Sequence, residues 1–182
     1  MNNVVDPLKT TTAVWMTESG FLKLKQNLVD KEQEYAQVRE YRQTAFEMSG
    51  DGWHDNPEFN RMQQLEASLN HTIKILNDRI QQTRLIDIND AMRPCETVGV
   101  GSVVKLVRWA EHQDDCQTEC WEIVGFDETC VARRQLAYNS PLAAAIVGLQ
   151  IGDVAEALAI GSIIWDIEVI ALYPSRQLAG LA

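Results

Sequence analysis

Six side chains able to do chemistry crowd into one short stretch: Asp51, Trp53, His54, Asp55, Asn56 and Glu58, between Gly50 and Phe59. Paired carboxylates are hard oxygen donors, the ligand type that Mg²⁺ takes. A histidine can carry a proton near neutral pH or add a nitrogen ligand, and His54 offers either. Trp53 offers a π-face on which a base can stack. Each has a plainer reading. Asp and Asn favour turns because their side chains bond nearby backbone. An exposed loop histidine needs no role, and Trp53 can pack back onto Phe46 or Phe59. On the spacing of the carboxylates alone, a solvated, capped turn is the simpler account. Arg39, Arg42 and Arg61 flank the stretch. They can touch an RNA backbone, or pair with Glu40, Glu47 and Glu58 as ordinary surface charge.

Two long helices must hold this stretch. Thr17 is a fitting N-cap, and Glu18 suits the positive end of a helix. Apolar residues then recur at Phe21, Leu24, Leu28, Tyr35, Val38 and Ala45, a helical face. No Pro or Gly interrupts residues 21–49, so about 30 residues of helix reach ~45 Å. Gly50, Gly52 and Pro57 break the pattern. Pro57 fits the first turn of a second helix, capped by Asn56 or Asp55. Phe59, Met62, Leu65, Leu69, Ile73, Leu76 and Ile80 mark its inner face. Two such helices joined by a short turn run antiparallel, and their narrow stripes suit a coiled coil. The expected arm is residues 16–90, with helices at about 17–49 and 57–84 and a tip at 50–56. Residues 1–15 read as a tail.

The second half has another texture. Val98–Val107, Cys120–Phe126, Val154–Ala157 and Ile163–Leu172 are β-branched and strand-like, and His112 to Thr118 reads as a hairpin loop. Ser140 caps a short helix with Pro141 at its first position and Gly148 at its end. Residues 96–174 thus form a small, mostly antiparallel β domain with one helix, followed by a tail at 175–182. The fold class is α+β. Trp109, Trp121 and Trp165 belong to its core or an interface. Cys116 and Cys120 form a CxxxC pair, half of a zinc site at most, and a tetrahedral site wants four ligands. Reduced structural thiols are the better account of all four cysteines.

The formal net charge is −10. That argues against broad binding of naked nucleic acid, which depends on Lys and Arg. Any nucleic-acid contact is local or made through a protein partner. No apolar run approaches the ~20 residues of a membrane span, and no secretion signal opens the chain. A cytoplasmic location is expected.

Four stretches, in this order, resemble the Gre transcript-cleavage factors, the GreA/GreB family. Thr17-Glu18-Ser19-Gly20-Phe21-Leu22-Lys23-Leu24 is similar to the opening T-x-x-G-(Y/F)-x-K-L. Gly50-Asp51 through Asn56-Pro57-Glu58-Phe59 is similar to the tip G-D-x-x-E-N-x-E-Y. Ser140-Pro141-Leu142-Ala143, with Ala145, Ile146 and Gly148, is similar to S-P-L-A-x-A-L-x-G. Gly152-Asp153 follows, as in V-G-D. The resemblance spans about residues 16–173. It implies an FKBP-like C-terminal domain that binds RNA polymerase, without prolyl isomerase chemistry. It implies an arm inserted, as a monomer, in the polymerase secondary channel. There the tip carboxylates help hold a Mg²⁺ shared with the polymerase and not stably bound by the factor alone. The factor is then no enzyme by itself but stimulates cleavage of backtracked RNA, meeting the RNA 3′ end indirectly. The metal ligands carried over are Asp51 and Asp55. The family spaces its pair as D-x-x-E-N, whereas this chain has one extra residue and Asp in place of Glu. A second register uses Asp55 and Glu58, although Glu58 matches the family's E-Y position. Gre-like inhibitors and DksA-type proteins use the same kind of arm to alter polymerase without cutting RNA, and that is the competing expectation.

Overall fold

The computed structural model describes residues 13–110 and 116–181, apart from the side chains of Asp51, Trp53 and His54. The chain divides into two compact units, Phe21–Thr83 and the remainder.

The first unit is a helical hairpin. Helix α1 spans Glu18–Ser49, a 3₁₀ turn covers Gly50–Asp55, and α2 spans Pro57–Gln82. One series of shielded positions runs along α1 through Leu24, Leu28, Lys31, Tyr35, Val38, Arg42, Ala45 and Ser49, and another along α2 through Phe59, Met62, Glu66, Leu69, Ile73, Leu76 and Ile80. Spacings of three and four alternate without a break, which is the heptad seam of a two-stranded coiled coil. One expectation fails here. Leu65 is 37% exposed, and Glu66 holds the seam position instead. The strict alternation 59-62-66-69 leaves residue 65 on the outer face. Glu66 tolerates the seam because Arg42 Nε lies 2.7 Å from its carboxylate. Tyr35 also donates its hydroxyl hydrogen to it at 3.3 Å.

The second unit is built on a five-stranded sheet. The strands are β3 (Val103–Ala110), β4 (Gln117–Val124), β5 (Gln135–Ala137), β6 (Val154–Ile160) and β7 (Ile163–Tyr173), in the order β5-β4-β3-β7-β6. All pairings are antiparallel except β4 with β5. Val104, Leu106, Trp121, Ile123, Trp165, Ile167 and Val169 fill one face of the sheet. Helix α3 (Pro141–Ile146) closes that face with Leu142, Ala143 and Ile146. Ser140 Oγ accepts from Ala143 N–H at 3.4 Å. The S-P-L-A-x-A-I run is therefore a capped turn whose apolar positions lock it onto the sheet.

Four details depart from expectation. Val14–Met16, assigned mostly to a tail, forms strand β1 and pairs with β2 (Thr83–Leu85); residues 1–12 lie outside the described set. Residues 98–102 are not strand. Gly101 sits at φ 90°, and Ser102 Oγ accepts from Gly99 N–H at 2.9 Å while donating to the Pro94 carbonyl at 3.2 Å, folding the segment on itself. Strand β5 has three residues, too few to show a period. Gln117 and Thr118, expected in the hairpin loop, belong to β4, while residues 111–115 lie outside the described set.

Behind the sheet, Glu122 is buried yet charged. Arg93 lies 2.8 Å from one carboxylate oxygen and Arg176 2.6 Å from the other, and Gln135 donates to it at 2.8 Å. Burial pushes the Glu122 carboxyl up, but the hydrogen bonds from Gln135 and Arg93 and the charges of Arg176 and Arg93 outweigh it and leave it below the usual value. Arg176 lies in the segment expected to be a C-terminal tail; it ties residues 175–181 to this centre.

All four cysteines are free. Cys116 directly precedes β4 and Cys120 lies within it, so the extended residues 117–119 between them hold the two thiols apart. Trp121 and Trp165 are buried as expected, at 8% and 6% exposure, and Trp109 is half-buried.

Candidate functional site

The tip is stapled by Asn56. Its Oδ1 accepts from Glu58 N–H at 2.9 Å and Phe59 N–H at 3.4 Å, capping α2. Its Nδ2 crosses to α1 and donates to the Ala45 carbonyl at 3.3 Å and to Ser49 Oγ. Ser49 Oγ in turn donates to the Ala45 carbonyl at 2.6 Å. One amide therefore uses both its acceptor and its donors to close the hairpin. Gly50 takes the left-handed φ of 53° that starts the turn. Pro57 occupies the first turn of α2, where its missing N–H costs nothing. Just below the tip, Phe46 and Phe59 pack with ring centroids 6.1 Å apart, and the Arg42 guanidinium lies over the Phe59 ring at 5.9 Å. The expectation that Trp53 joins this pair, and those for the Asp51 and His54 side chains, fall outside the described residues.

Asp55 ends the 3₁₀ turn with an exposed side chain. Glu58 is exposed too, but lies in the first turn of α2 with Arg61 3.7 Å from its carboxylate. A helix N-terminus and an arginine both hold a carboxylate in place, which gives Glu58 a structural partner; among the described residues none is recorded for Asp55. In a 3₁₀ turn residues three apart share a face, so a spacing of four is not interchangeable with one of three.

The arginines divide. Arg39 and Arg42 converge on Glu66 at 3.7 and 2.7 Å, rather than on Glu40 or Glu47, and Arg61 pairs with Glu58 as its i,i+3 spacing allows. Arg39 is 61% and Arg61 74% exposed at the side chain, against 32% for Arg42. Arg42 is thus part of the seam, while Arg39 and Arg61 keep an outward face. The residue missed from sequence was Glu66, whose signal was the uninterrupted three/four alternation. Among the described residues no three His, Cys, Asp or Glu side chains cluster to hold a metal ion. No described helix is long and apolar enough to cross a membrane.

Known proteins resemble the chain along nearly its whole length. Residues 93–174 match the family described as transcription elongation factor, GreA/GreB, C-terminal. Transcription elongation factor GreA of Nitratiruptor is 30% identical over 159 residues, which are 87% of this chain and 91% of that protein. GreA of Agrobacterium fabrum is 26% identical over 146 residues, 80% of this chain and 88% of that one. The crystal structure of GreA factor homolog 1 of Thermus thermophilus shows 22% identity, covering 88% of this chain and 99% of that chain, at a TM-score of 0.40. With the helical hairpin, the capped S-P-L-A turn and the mostly antiparallel sheet in place, the chain belongs to the GreA/GreB family of transcription elongation factors.

Proposed function

We propose that this factor binds RNA polymerase as a cytoplasmic monomer, places its helical arm in the secondary channel, and stimulates cleavage of backtracked RNA. The observation that carries the reading is the stapled tip, a closed 3₁₀ turn ending in the exposed carboxylate of Asp55. Asp51 and Asp55 are the residues that would hold Mg²⁺, as hard oxygen donors suited to it. A lone pair of carboxylates binds that ion weakly, so the remaining ligands come from the polymerase and the RNA. When bound there, the ion supplies an activated water and neutralises charge on the scissile phosphate. What the chain itself contributes is placement. Asn56 fixes the turn, Glu58 is held by Arg61 and the start of α2, and Asp55 is left to meet the partner. This arrangement favours Asp51 with Asp55 over Asp55 with Glu58.

The test is a transcript-shortening assay on a stalled, backtracked elongation complex. Wild-type factor should shorten the RNA in a Mg²⁺-dependent way. Asp51→Ala and Asp55→Ala should each lose at least ~100-fold, as expected when a transition-state charge loses its support. Glu58→Ala should keep most activity. A second reading, a channel-binding regulator without cleavage, is favoured by the four-residue spacing on a 3₁₀ turn. Polymerase binding and altered extension with no stimulated cleavage would establish it.

A further inference from the structure

The loop that follows β4 sends a carboxylate to the start of α1. Glu128 Oε1 accepts from Thr17 N–H and from Thr17 Oγ1–H, each at 2.9 Å. The Thr17 hydroxyl has a single proton, committed to Glu128, so its lone pairs accept from Gly20 N–H at 3.2 Å and Ser19 Oγ–H at 3.0 Å. Thr17 thus caps the helix while Glu128 orients Thr17. Two glycines make room. A Cβ on Gly20 would lie 1.7 Å from Glu128 Oε1, and one on Gly125 would lie 2.8 Å from Oε2 and 2.9 Å from Met16 Cα. The preceding strand is tied to the same loop. Trp15 C=O accepts from Phe126 N–H at 2.8 Å, and Trp15 N–H donates to the Tyr138 hydroxyl oxygen at 3.2 Å. Capping alone needs a Ser or Thr; a buried glycine pressed against a distant carboxylate does something more.

We propose that Glu128 is a positioning residue, fixing the first turn of α1 and so the root of the helix that carries the tip. The inference rests on the polymerase-directed reading above. Helix α1 is unbroken over 32 residues, about 48 Å. A rotation of about 10° at its root moves the far end by about 8 Å, whereas a productive site tolerates on the order of 0.5 Å. Weakening one cap therefore matters little to stability and much to delivery of the tip. It also gives the T-x-x-G motif a physical content: Thr17 is the group held, and Gly20 is the space that lets the carboxylate in.

The experiment uses full-length Glu128→Ala, Glu128→Gln and Gly20→Ala in the backtracked-complex assay across factor concentrations, with amide exchange of residues 17–22 in the free protein. Glu128→Ala should lower the saturating cleavage rate about five-fold, the scale of a lost cap. Its half-saturating concentration should change less than two-fold, and exchange at Thr17 and Gly20 should quicken. Glu128→Gln keeps an acceptor oxygen and should recover most of the rate. Gly20→Ala should act like Glu128→Ala, and the two together should be no worse than either, since the shortened side chain leaves room for the new methyl. An unchanged saturating rate in both Glu128→Ala and Gly20→Ala overturns the inference. So does a shift in half-saturating concentration alone, which would make Glu128 a docking contact. If wild-type factor stimulates no cleavage, the cleavage reading falls by itself. The inference is then decided by inhibition of RNA extension at saturating factor: reduced inhibition in Glu128→Ala supports it, and undiminished inhibition despite faster exchange overturns it.

Discussion

Asn56 shows how one side chain can set a tip. Its acceptor oxygen serves α2 and its amide hydrogens serve α1, and the two jobs can be separated by substitution. Asn56→Asp keeps the capping oxygen and adds a favourable charge at the helix start, but loses the donors to Ala45 and Ser49. Asn56→Ala loses both. We expect Asn56→Ala to lower arm stability by about 1–2 kcal/mol and Asn56→Asp by less than half of that, measured by urea unfolding followed through helical circular dichroism. Cleavage should fall in both, because the crossing to α1 is broken in both. Equal stability loss in the two variants would mean that the crossing, not the cap, holds the tip.

The seam of the hairpin carries a charged layer among apolar ones. Glu66 with Arg42 and Tyr35 interrupts the run of Val38, Met62 and Leu69. A polar layer in a coiled coil specifies register at some cost in stability. Removing one member leaves the other without its partner in a shielded position, whereas replacing both with apolar groups is often neutral or stabilising. Glu66→Ala should therefore destabilise the arm by about 1–2 kcal/mol, and Arg42→Leu with Glu66→Leu should restore or exceed the wild-type midpoint. A double-mutant cycle read from denaturation midpoints tests this, and additive losses would show that the layer is uncoupled. The alternation of apolar residues made both helices visible in the sequence, with ends within two residues of those observed. It mislabelled position 65 because Leu is apolar wherever it stands, and only the continuous period places it outside.

At the scale of the molecule, Glu122 joins segments far apart in sequence. Arg93 precedes the sheet, Arg176 follows it, and Glu122 lies within β4. Its carboxyl has a lower value in the folded chain than its ordinary 4.5. Its stabilising effect is therefore fully present above that ordinary value and is lost as pH falls through the lower folded one. Glu122→Gln should cost about 2 kcal/mol at pH 7. The gap to wild type should narrow as pH falls below the ordinary carboxyl value of 4.5, because only wild type still has that charge to lose. Urea midpoints of both proteins across this range check it, and a constant gap would place the acid sensitivity elsewhere.

The sequence by itself determined the two helices, the turn between them, the capped S-P-L-A helix and the longer strands, together with the family. Those features are local: a period, a cap or a proline acts within a few residues, so its physics is written in consecutive letters. Tertiary structure decided what depends on distant partners. Nothing near Glu122 announces Arg93 and Arg176, and nothing near Glu128 announces Thr17 across 111 positions. Val14–Met16 is a strand only because β2 is there to receive its hydrogen bonds, and a three-residue segment has no period with which to declare itself. The same division runs through the tip. Glycine, proline and asparagine spelled out a turn, whereas the crossing of Asn56 to Ala45 and Ser49 exists only once both helices stand side by side.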